Sequence, residues 1–518
     1  MSQNHFNFTP LGGLGRIGAN MNLIEMGETR ILLDCGILFP DDNPFNIEYI
    51  IPDYSNINKP TDLVLTHAHE DHLGGLKLLL KRFPDIKIHA PLFAKTLIER
   101  KGIKKEIREY KNKQKINFGD FHLTPLKVDH SIPDTYGVFI EANDFCLFYL
   151  SDFKINENNS EFDLKWLEEQ SSAYSKKILL TDSTNIISKN LKTQEEDELY
   201  NPLSSYFKKK GRLFITFFAS NSFRLRTILK LAKENKRTVV TYGASMANYF
   251  EVAKKTGFLD HTSSGTYDVD EVDPKDKSLV VLVSGCQGDF KSAVKRVAYG
   301  EDKYFRLDKN DTFLFSSKTI PGNEVKISNV LNKITESEAE IVTSDDDFVH
   351  VSGHAGKKDL QILYNHFKPT HFVPIHGESY FLKRHLQFFL ESFSNAKTHL
   401  LFNFNRLNCD MWTVDKNEAK DPVLVQTKDI EISKDKIKER RKIAQGGLVL
   451  VSLDTKKRKF KITCKGLPDV VEEKKIFSVI DKYLKKSQYF NMEELRILIR
   501  KSISRITGIK PEVYIHDL

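Results

Sequence analysis

The residues with the clearest chemical potential lie at positions 66–72, which read Thr-His-Ala-His-Glu-Asp-His. They follow a short apolar run, which predicts a buried strand, and precede a glycine pair and a stretch with helical periodicity. His67 and His69 are two residues apart on extended backbone, so both imidazoles can face one side. Asp71 and His72 lie where the chain turns into the helix and can serve a second ion. The spacing predicts two adjacent metal ions that activate a water for hydrolysis.

Two metal ions need more ligands than this loop supplies, and three other polar residues share a suitable context. Each of them ends an apolar strand: they are His130, Asp152 and His376. Any one alone would more often be a buried structural histidine or a helix-capping aspartate. Together with the loop, however, they form a complete ligand set for a two-metal site.

The loop resembles the signature of the metallo-β-lactamase fold. Three further motifs, centred on Asp182, His354 and His376, resemble those of the β-CASP nucleases. A wider set of segments resembles the bacterial ribonuclease J family in particular. These segments are Leu11–Gly18, His130–Asp134, Asp182–Asn185, Phe218–Asn221 and Ile320–Glu324. The likeness covers nearly the whole chain and is weakest in the tail.

The resemblance implies an α/β fold: a metallo-β-lactamase αββα sandwich, an inserted β-CASP domain with a parallel sheet, and a small C-terminal α+β domain. The sequence pattern agrees, because apolar strands alternate with helical stretches between about 200 and 350. The predicted segments are the sandwich at 1–198 and 351–424, the inserted domain at 199–350, a charged linker at 425–445, and the tail domain at 446–518.

In the family's pattern, the seven candidate ligands would divide between two zinc ions, with Mn²⁺ or Mg²⁺ as alternatives. One ion would take His67, His69 and His130, the other Asp71, His72 and His376, and Asp152 would bridge them. Asp34, at a strand end, would hold the second nitrogen of a ligating histidine. The simpler alternative, an ordinary turn residue, stays open for Asp34.

The segment Ser352-Gly353-His354-Ala355 precedes a helical stretch and is expected to bind substrate phosphate. Glycine permits close backbone approach, and the free N–H groups at a helix start attract anions. His354, held by Asp182, would stabilise the phosphate or protonate the leaving oxygen, so both are catalytic candidates beside Asp71. Asn221 opens another helix and is a further phosphate candidate, although ordinary helix capping explains it equally.

The resemblance implies a metal-dependent ribonuclease in which hydroxide formed between the ions attacks the phosphodiester in line. It further implies 5′→3′ exonuclease action on 5′-monophosphorylated RNA, with some internal cleavage, in rRNA processing, RNA maturation and mRNA decay. Three alternatives stay open. The first is a non-catalytic subunit that binds RNA and stabilises an active paralogue, but such a subunit should have lost metal ligands. The others are a small-molecule hydrolase of the same fold, which should lack the inserted domain, and a 3′-end-processing endonuclease.

Two motifs in the inserted domain depart from the family's pattern. Phe223 stands where a histidine is common, and residues 285–289 read Gly-Cys-Gln-Gly-Asp in place of Gly-Ser-Gln-Gly-Glu. Both lie away from the predicted metal ligands. They therefore bear on how RNA is gripped rather than on the hydrolytic step.

Composition limits the remaining possibilities. The 518 residues carry a net charge of +8, with basic runs at 434–442 and 456–459, which favours an anionic partner such as RNA. Lysine-rich surfaces are also common without such a partner. The five cysteines are widely spaced and outside any metal motif, and no signal peptide is visible, so a cytoplasmic location is expected.

Partners other than RNA are expected from the resemblance. The tail domain would mediate self-association as a homodimer or homotetramer, and an RNA-degradation complex is a further expected partner. The longest apolar runs have the length of a strand, so no membrane association is expected.

Overall fold

The computed structural model describes residues 5–40, 45–55, 57–259, 266–289, 292–418, 420–487 and 489–517. The chain divides into two compact units. The larger comprises residues 1–41 and 49–422, and the smaller comprises residues 42–48 and 423–518. None of the helices in the described ranges is long and apolar enough to cross a membrane.

The first segment of the chain alternates strands with short helices. Its strands are β1 (Asn7–Gly12), β2 (Leu14–Gly15), β3 (Met21–Met26), β4 (Thr29–Leu33), β5 (Ile47–Ile51), β6 (Asp62–Val64), β7 (Lys87–Ala90), β8 (Ile107–Glu109), β9 (Ile116–Asn117), β10 (His122–Val128), β11 (Thr135–Ala142), β12 (Phe145–Leu150) and β13 (Lys176–Asp182). Its helices are α1 (Glu70–Leu73), α2 (Leu76–Arg82), α3 (Leu92–Arg100) and α4 (Leu164–Ser172).

The inserted segment follows a short 3₁₀ turn at Glu196–Leu199. Its helices are α5 (Tyr200–Phe207), α6 (Ser222–Glu234), α7 (Ala244–Lys255), α8 (Ala293–Ala298) and α9 (Glu324–Thr335). Its strands are β14 (Leu213–Thr216), β15 (Thr238–Tyr242), β16 (Thr266–Tyr267), β17 (Leu279–Val283), β18 (Thr312–Phe315) and β19 (Glu340–Val342). These strands form one parallel sheet in the order β16-β15-β17-β14-β18-β19, as the alternating pattern predicts.

The chain then returns to the first segment. The returning elements are α10 (Lys357–Phe367), β20 (His371–Ile375), β21 (Gly377–Glu378), α11 (Ser379–Ser392), β22 (Lys397–Thr398), β23 (Arg406–Asn408) and β24 (Thr413–Asp415). Together the two segments build an eight-stranded sheet, β24-β23-β1-β3-β4-β6-β7-β8, and a seven-stranded sheet, β22-β20-β13-β12-β11-β10-β9. Strand β20 lies parallel beside β13, which places the ends of both strands at one edge.

The two sheets face each other across an apolar core. Phe8, Ile31 and Val64 of the first sheet belong to the same buried cluster as Leu147 and Val373 of the second. The opposite face of the second sheet packs against α4, α10 and α11 in another buried cluster. Alternate strand residues serve the two clusters, since successive side chains point to opposite faces. The predicted αββα sandwich with an inserted parallel domain is confirmed.

The smaller unit has its own core. Its elements are β25 (Val423–Gln426), β26 (Ile430–Ile432), α12 (Lys434–Gly446), β27 (Leu448–Asp454), β28 (Lys459–Lys465), α13 (Glu473–Lys486), α14 (Met492–Thr507) and β29 (Glu512–Asp517). The sheet order is β28-β27-β29, and α13 and α14 cover one face. The expectation of a linker at 425–445 is corrected here: this segment holds two strands and a helix.

The signal for that helix is weak in the sequence. Helix α12 buries Ile437 and Gly446 and otherwise exposes charged side chains, so it has almost no apolar stripe. Its start is nevertheless marked, because the Ser433 side chain accepts a hydrogen bond from the backbone N–H of Lys436.

Candidate metal centre

The first group of predicted ligands meets at the end of β6. Nδ1 of His69 lies 3.0 Å from Nε2 of His67 and 3.2 Å from Nε2 of His130. Oδ2 of Asp152 lies 3.5 Å from the His130 nitrogen and 3.8 Å from the His67 nitrogen. His67, His130 and Asp152 are almost fully buried. These four side chains can hold one metal ion between them.

The second group lies against the other oxygen of the same carboxylate. Oδ1 of Asp152 is 3.1 Å from Nε2 of His72 and 3.6 Å from Nε2 of His376. Oδ2 of Asp71 is 3.6 Å and 3.4 Å from the same two nitrogens. Asp71, His72 and His376 therefore offer a second cluster. Asp152 faces both clusters, one with each carboxylate oxygen.

These residues fit divalent metal ions. Oδ1 of Asp152 is buried and makes no hydrogen bond with the described residues, although His72 is close. A tetrahedral ion with bonds of about 2.1 Å requires ligand atoms about 3.4 Å apart, which is close to the spacing in both groups. Imidazole and carboxylate groups are the donors that zinc and related ions take. An ion would supply the partner that the buried carboxylate lacks.

The protonation states suit metal binding in the first group. Burial lowers the pKa of His67, His69 and His130, and that of His69 falls to about 4. All three rings are therefore neutral near pH 7, which is the form that binds metal ions.

In the second group the pKa values of the histidines are raised instead of lowered. Burial alone would lower the pKa of His72, but the carboxylates of Asp152, Asp71 and Asp34 outweigh it and raise that pKa to about 10. The pKa of His376 is raised for the same reason, with Asp152 as the main source. Metal binding at this group must therefore release protons.

Asp34 lies where the prediction places it, behind the histidines. Its Oδ2 is 2.8 Å from Nδ1 of His72, and its Oδ1 accepts a 2.8 Å hydrogen bond from the backbone N–H of Thr66. The Thr66 hydroxyl in turn is 3.0 Å from Nδ1 of His67. Asp34 and Thr66 thus fix the rings of one histidine from each cluster, so that the Nε2 atoms face inward.

Asn20 was not predicted and lies next to the second cluster. Its Nδ2 is 3.0 Å from Nε2 of His72 and donates to the backbone carbonyl of Asp71 at 3.2 Å. A Cβ at Gly13, whose φ is +86°, would lie 2.3 Å from the Asn20 side-chain oxygen. The glycine-rich segment at 11–18 therefore leaves space for a residue that packs against the centre.

His354 and Asp182 meet as the resemblance implies. Nδ1 of His354 lies 2.8 Å from Oδ2 of Asp182, and Nε2 of His354 lies 3.8 Å from Oδ2 of Asp152. Burial would lower the pKa of His354, but Asp182 outweighs it and raises that pKa. Thr184, which was not predicted, lies 2.8 Å from Nδ1 of His376 through its hydroxyl. The motif after β13 thus orients two histidines of the centre.

The Ser-Gly-His-Ala segment lies directly beside the first cluster. Nδ1 of His130 is 2.7 Å from the backbone carbonyl of Gly353. A Cβ on Gly353 would lie 2.8 Å from Ser131 and 2.9 Å from the His130 ring, so glycine permits this approach. The Ser352 hydroxyl accepts hydrogen bonds from Nδ2 of Asn185 and the backbone N–H of His354. Ala355 is buried in the core beneath.

Asn221 is accounted for by its helix. Its side-chain oxygen accepts a 2.9 Å hydrogen bond from the backbone N–H of Arg224 and caps α6, and the residue is 5% exposed. The structure therefore shows the capping role, and the phosphate role of Asn221 stays a prediction. Phe223 points elsewhere: its ring contacts Phe258, and Arg226 lies over both rings.

The inserted domain reaches the metal loop directly. The hydroxyl of Tyr249, on α7, donates a 3.0 Å hydrogen bond to the backbone carbonyl of Ala68. Arg224 is fully buried and bonds to Glu196 and to the carbonyl of Val349, which lie on the two connections into the domain. The Tyr249 contact crosses from the inserted domain to the metal loop and positions the loop relative to the inserted sheet.

Comparison with known protein families agrees with this architecture. Residues 14–147 match the metallo-beta-lactamase superfamily, residues 210–334 match the beta-CASP domain of ribonuclease J, and residues 340–393 match the Zn-dependent metallo-hydrolase RNA specificity domain. A crystal structure of a protein of unknown function from Enterococcus faecalis V583 superposes with a TM-score of 0.56. It has 16% sequence identity and covers 78% of this chain and 99% of that one, so it shows the fold alone.

Curated relatives are similar over most of the chain. Ribonuclease J from Helicobacter pylori strain J99 is 31% identical over 402 residues, which is 73% of this chain and 57% of the relative. Ribonuclease J 1 from Streptococcus pyogenes serotype M3 is 30% identical over 403 residues, 74% of this chain and 71% of the relative. Ribonuclease J from Mycoplasma pneumoniae is 31% identical over 388 residues, which is 71% of this chain and 67% of the relative. The chain thus spans little more than half the length of the Helicobacter relative.

The fold and the paired ligand clusters define a metallo-β-lactamase-type protein with an inserted β-CASP domain. With relatives of this identity matched over two thirds of their length, the chain belongs to the ribonuclease J family.

Proposed function

We propose that the protein is a metal-dependent ribonuclease whose reaction takes place at the centre built by the seven ligand residues. The observation that carries the proposal is Asp152, whose two buried oxygens face two separate groups of imidazoles. The Ser-Gly-His-Ala segment lies beside these groups, and the family's relatives are named ribonucleases. A phosphodiester bound by that segment would therefore lie against the metal ligands.

The ligand roles are part of the proposal. One ion would be held by His67, His69 and His130, the other by Asp71, His72 and His376, with Asp152 shared. When bound, divalent ions supply Lewis-acid chemistry that activates a water and offsets charge on the phosphate oxygens. Two zinc ions per chain are the expected load, with Mn²⁺ and Mg²⁺ as alternatives.

The chain's own groups handle the phosphate. The Ser352 hydroxyl already accepts two hydrogen bonds, so its proton is free to be donated to a phosphate oxygen. Nδ1 of His354 is engaged by Asp182, which leaves Nε2 facing the centre with a proton for the leaving oxygen. His354 is thus proposed as the general acid, and Asp182 as the residue that holds its ring.

The finer specificity follows from the resemblance to the ribonuclease J family. We propose 5′→3′ exonuclease action on 5′-monophosphorylated RNA, with additional endonuclease activity, in RNA maturation and mRNA decay. A cytoplasmic location is proposed with it, and the five unpaired cysteines fit a reducing compartment. Self-association of the tail as a homodimer or homotetramer, and membership of an RNA-degradation complex, remain predictions.

A cleavage assay tests the proposal. Uniformly labelled RNA carrying a 5′-monophosphate or a 5′-triphosphate is incubated with the protein and Mn²⁺ or Zn²⁺. Mononucleotides released before internal fragments, and faster from the monophosphate, are the expected result. Internal fragments alone would indicate an endonuclease.

A pair of neighbouring variants provides the control. Asp71→Ala should abolish cleavage and leave RNA binding largely intact, whereas Glu70→Ala, whose side chain pairs with Lys101, should cleave like the wild type. Wild-type cleavage by Asp71→Ala would refute the site assignment. RNA binding without cleavage by the wild type would favour the alternative, a non-catalytic subunit. The presence of all seven candidate ligands in two clusters weighs against that alternative.

A further inference from the structure

The chain's positive charge is concentrated at its C-terminal end. Residues 423–518 contain 23 lysines and arginines and 13 aspartates and glutamates, an excess of 10. The whole chain has an excess of only 8, so the rest of the chain is slightly negative. An attraction for polyanions therefore originates in the smaller unit.

Helices α13 and α14 cover one face of the β28-β27-β29 sheet. Val449, Val451 and Val513 are buried in the cluster with α13 and α14. Residues that alternate with them point to the opposite side, here called the outer face. The strand register places Thr463, Leu450 and Tyr514 side by side across this face.

The outer face of the edge strand β28 is a row of lysines. Lys459, Lys461 and Lys465 occupy alternate positions on that strand and are exposed. Among the residues that the structure describes, none of the three has an ion-pair partner. The nearby acids are already engaged: Asp454 lies 3.5 Å from Lys457, and Glu512 lies 3.8 Å from Arg500.

An aromatic ring lies on the same face. Tyr514 is 44% exposed, and the adjacent Leu450 is 41% exposed. The Tyr514 hydroxyl donates a 3.0 Å hydrogen bond to Glu439 of α12, which fixes the ring while leaving much of it open. The ring on β29 and the lysines on β28 lie on one face with β27 between them. A fixed, exposed ring and unpaired lysines on one face form the combination that stacks a base and contacts phosphates of the same strand.

We propose that the outer face of β28-β27-β29 binds single-stranded RNA, with the three lysines on the phosphates and Tyr514 stacked on a base. This inference rests on the proposed function, in which RNA is the substrate. Charge complementarity favours RNA over a second copy of the chain, because a lysine-rich edge strand repels its own copy and discourages strand pairing.

The test uses the full chain, with Asp71→Ala in every sample so that RNA is not consumed. Binding of a fluorescein-labelled, single-stranded RNA of about 20 nucleotides is followed by anisotropy between about 50 and 200 mM KCl. The test variant carries Lys459→Ala, Lys461→Ala and Lys465→Ala. The matched control carries Lys474→Ala, Lys482→Ala and Lys486→Ala, which remove the same charge from exposed positions of α13.

The test variant should bind at least about tenfold more weakly at 100 mM salt, and the slope of log K against log salt should be shallower by about 2. The control should stay near the parent. Tyr514→Ala should lose about tenfold in affinity, whereas Tyr514→Phe, which keeps the ring, should retain it.

Three outcomes would overturn the inference: unchanged binding by the test variant, an equal loss in the control, or a changed molecular mass of the test variant by light scattering. The last would identify a second copy as the occupant. Cleavage is measured separately with the wild-type protein, which carries Asp71. Failure of the proposed ribonuclease function is thereby distinguished from failure of the proposed RNA-binding face.

Discussion

Replacing Asp182 by asparagine tests how the proposed general acid is held. Asp182 is 2% exposed, and its carboxylate lies 2.8 Å from Nδ1 of His354. It also accepts a 2.8 Å hydrogen bond from the backbone N–H of Thr184. An asparagine fills the same volume and can keep the bond to Thr184 through its oxygen. The substitution therefore removes the charge that faces Nδ1 of His354 and, at 3.5 Å, Nδ1 of His376, which the Thr184 hydroxyl also contacts.

The size of the effect follows from this contact. A hydrogen bond to a charged group contributes about 1.5–3 kcal/mol, and each 1.36 kcal/mol of barrier changes a rate tenfold. The single-turnover cleavage rate of Asp182→Asn should therefore fall about 10- to 150-fold. RNA affinity and metal content should change little, because Asp182 belongs to neither of the two main ligand clusters.

The assay is a double-mutant cycle measured with saturating RNA. If Asp182 acts through the His354 ring, Asp182→Asn should have almost no further effect in a His354→Gln background. Equal losses in the two backgrounds would show that Asp182 does not act through the His354 ring and has a separate role.

Three further predictions concern the surroundings of the centre. Gly353→Ala should displace the His130 ring and weaken zinc binding about 10- to 100-fold by calorimetry; wild-type affinity would contradict the close packing. Tyr249→Phe leaves a carbonyl of the metal loop without its donor and should lower the free energy of unfolding by about 1–3 kcal/mol in urea, so an unchanged midpoint would disprove the contact. Burial would raise the pKa of Asp62, but the hydrogen bond with His89, together with Thr61 and Lys87, outweighs the effect of burial and lowers that pKa. Ionised Asp62 stabilises the folded protein at pH values above the pKa that this carboxyl has in the unfolded chain. This stabilisation is lost as the pH falls through its pKa in the folded protein. Asp62→Asn should therefore destabilise the protein at pH 7 and not at pH 2. Equal destabilisation at both pH values would argue against the pair.

Strand ends explain why the ligands could be found in the sequence. His130, Asp152 and His376 each follow an apolar strand, and these strands, β10, β12 and β20, run in the same direction in one sheet, so their ends lie at the same edge. One such residue alone is more often structural, so the prediction depended on their combination with the loop at 66–72. The structure brings all seven predicted ligands together.

The supporting residues carry no comparable local signal. Thr184 contacts a histidine 192 positions away, and Tyr249 contacts a carbonyl 181 positions away, so neither role exists before the chain folds. Asn221 carries a clear local signal, but that signal fits two roles. A capping residue and a phosphate ligand are the same amino acids at the same helix start, and only the observed hydrogen bond separates them.

The most direct test of the central claim is a metal titration of the chelator-treated protein, with bound metal and RNA cleavage measured in the same samples. We expect no cleavage without metal, cleavage that rises as two ions bind per chain, and loss of both metal binding and cleavage in Asp152→Asn. Cleavage by the metal-free protein, or full activity and metal content in Asp152→Asn, would contradict this claim.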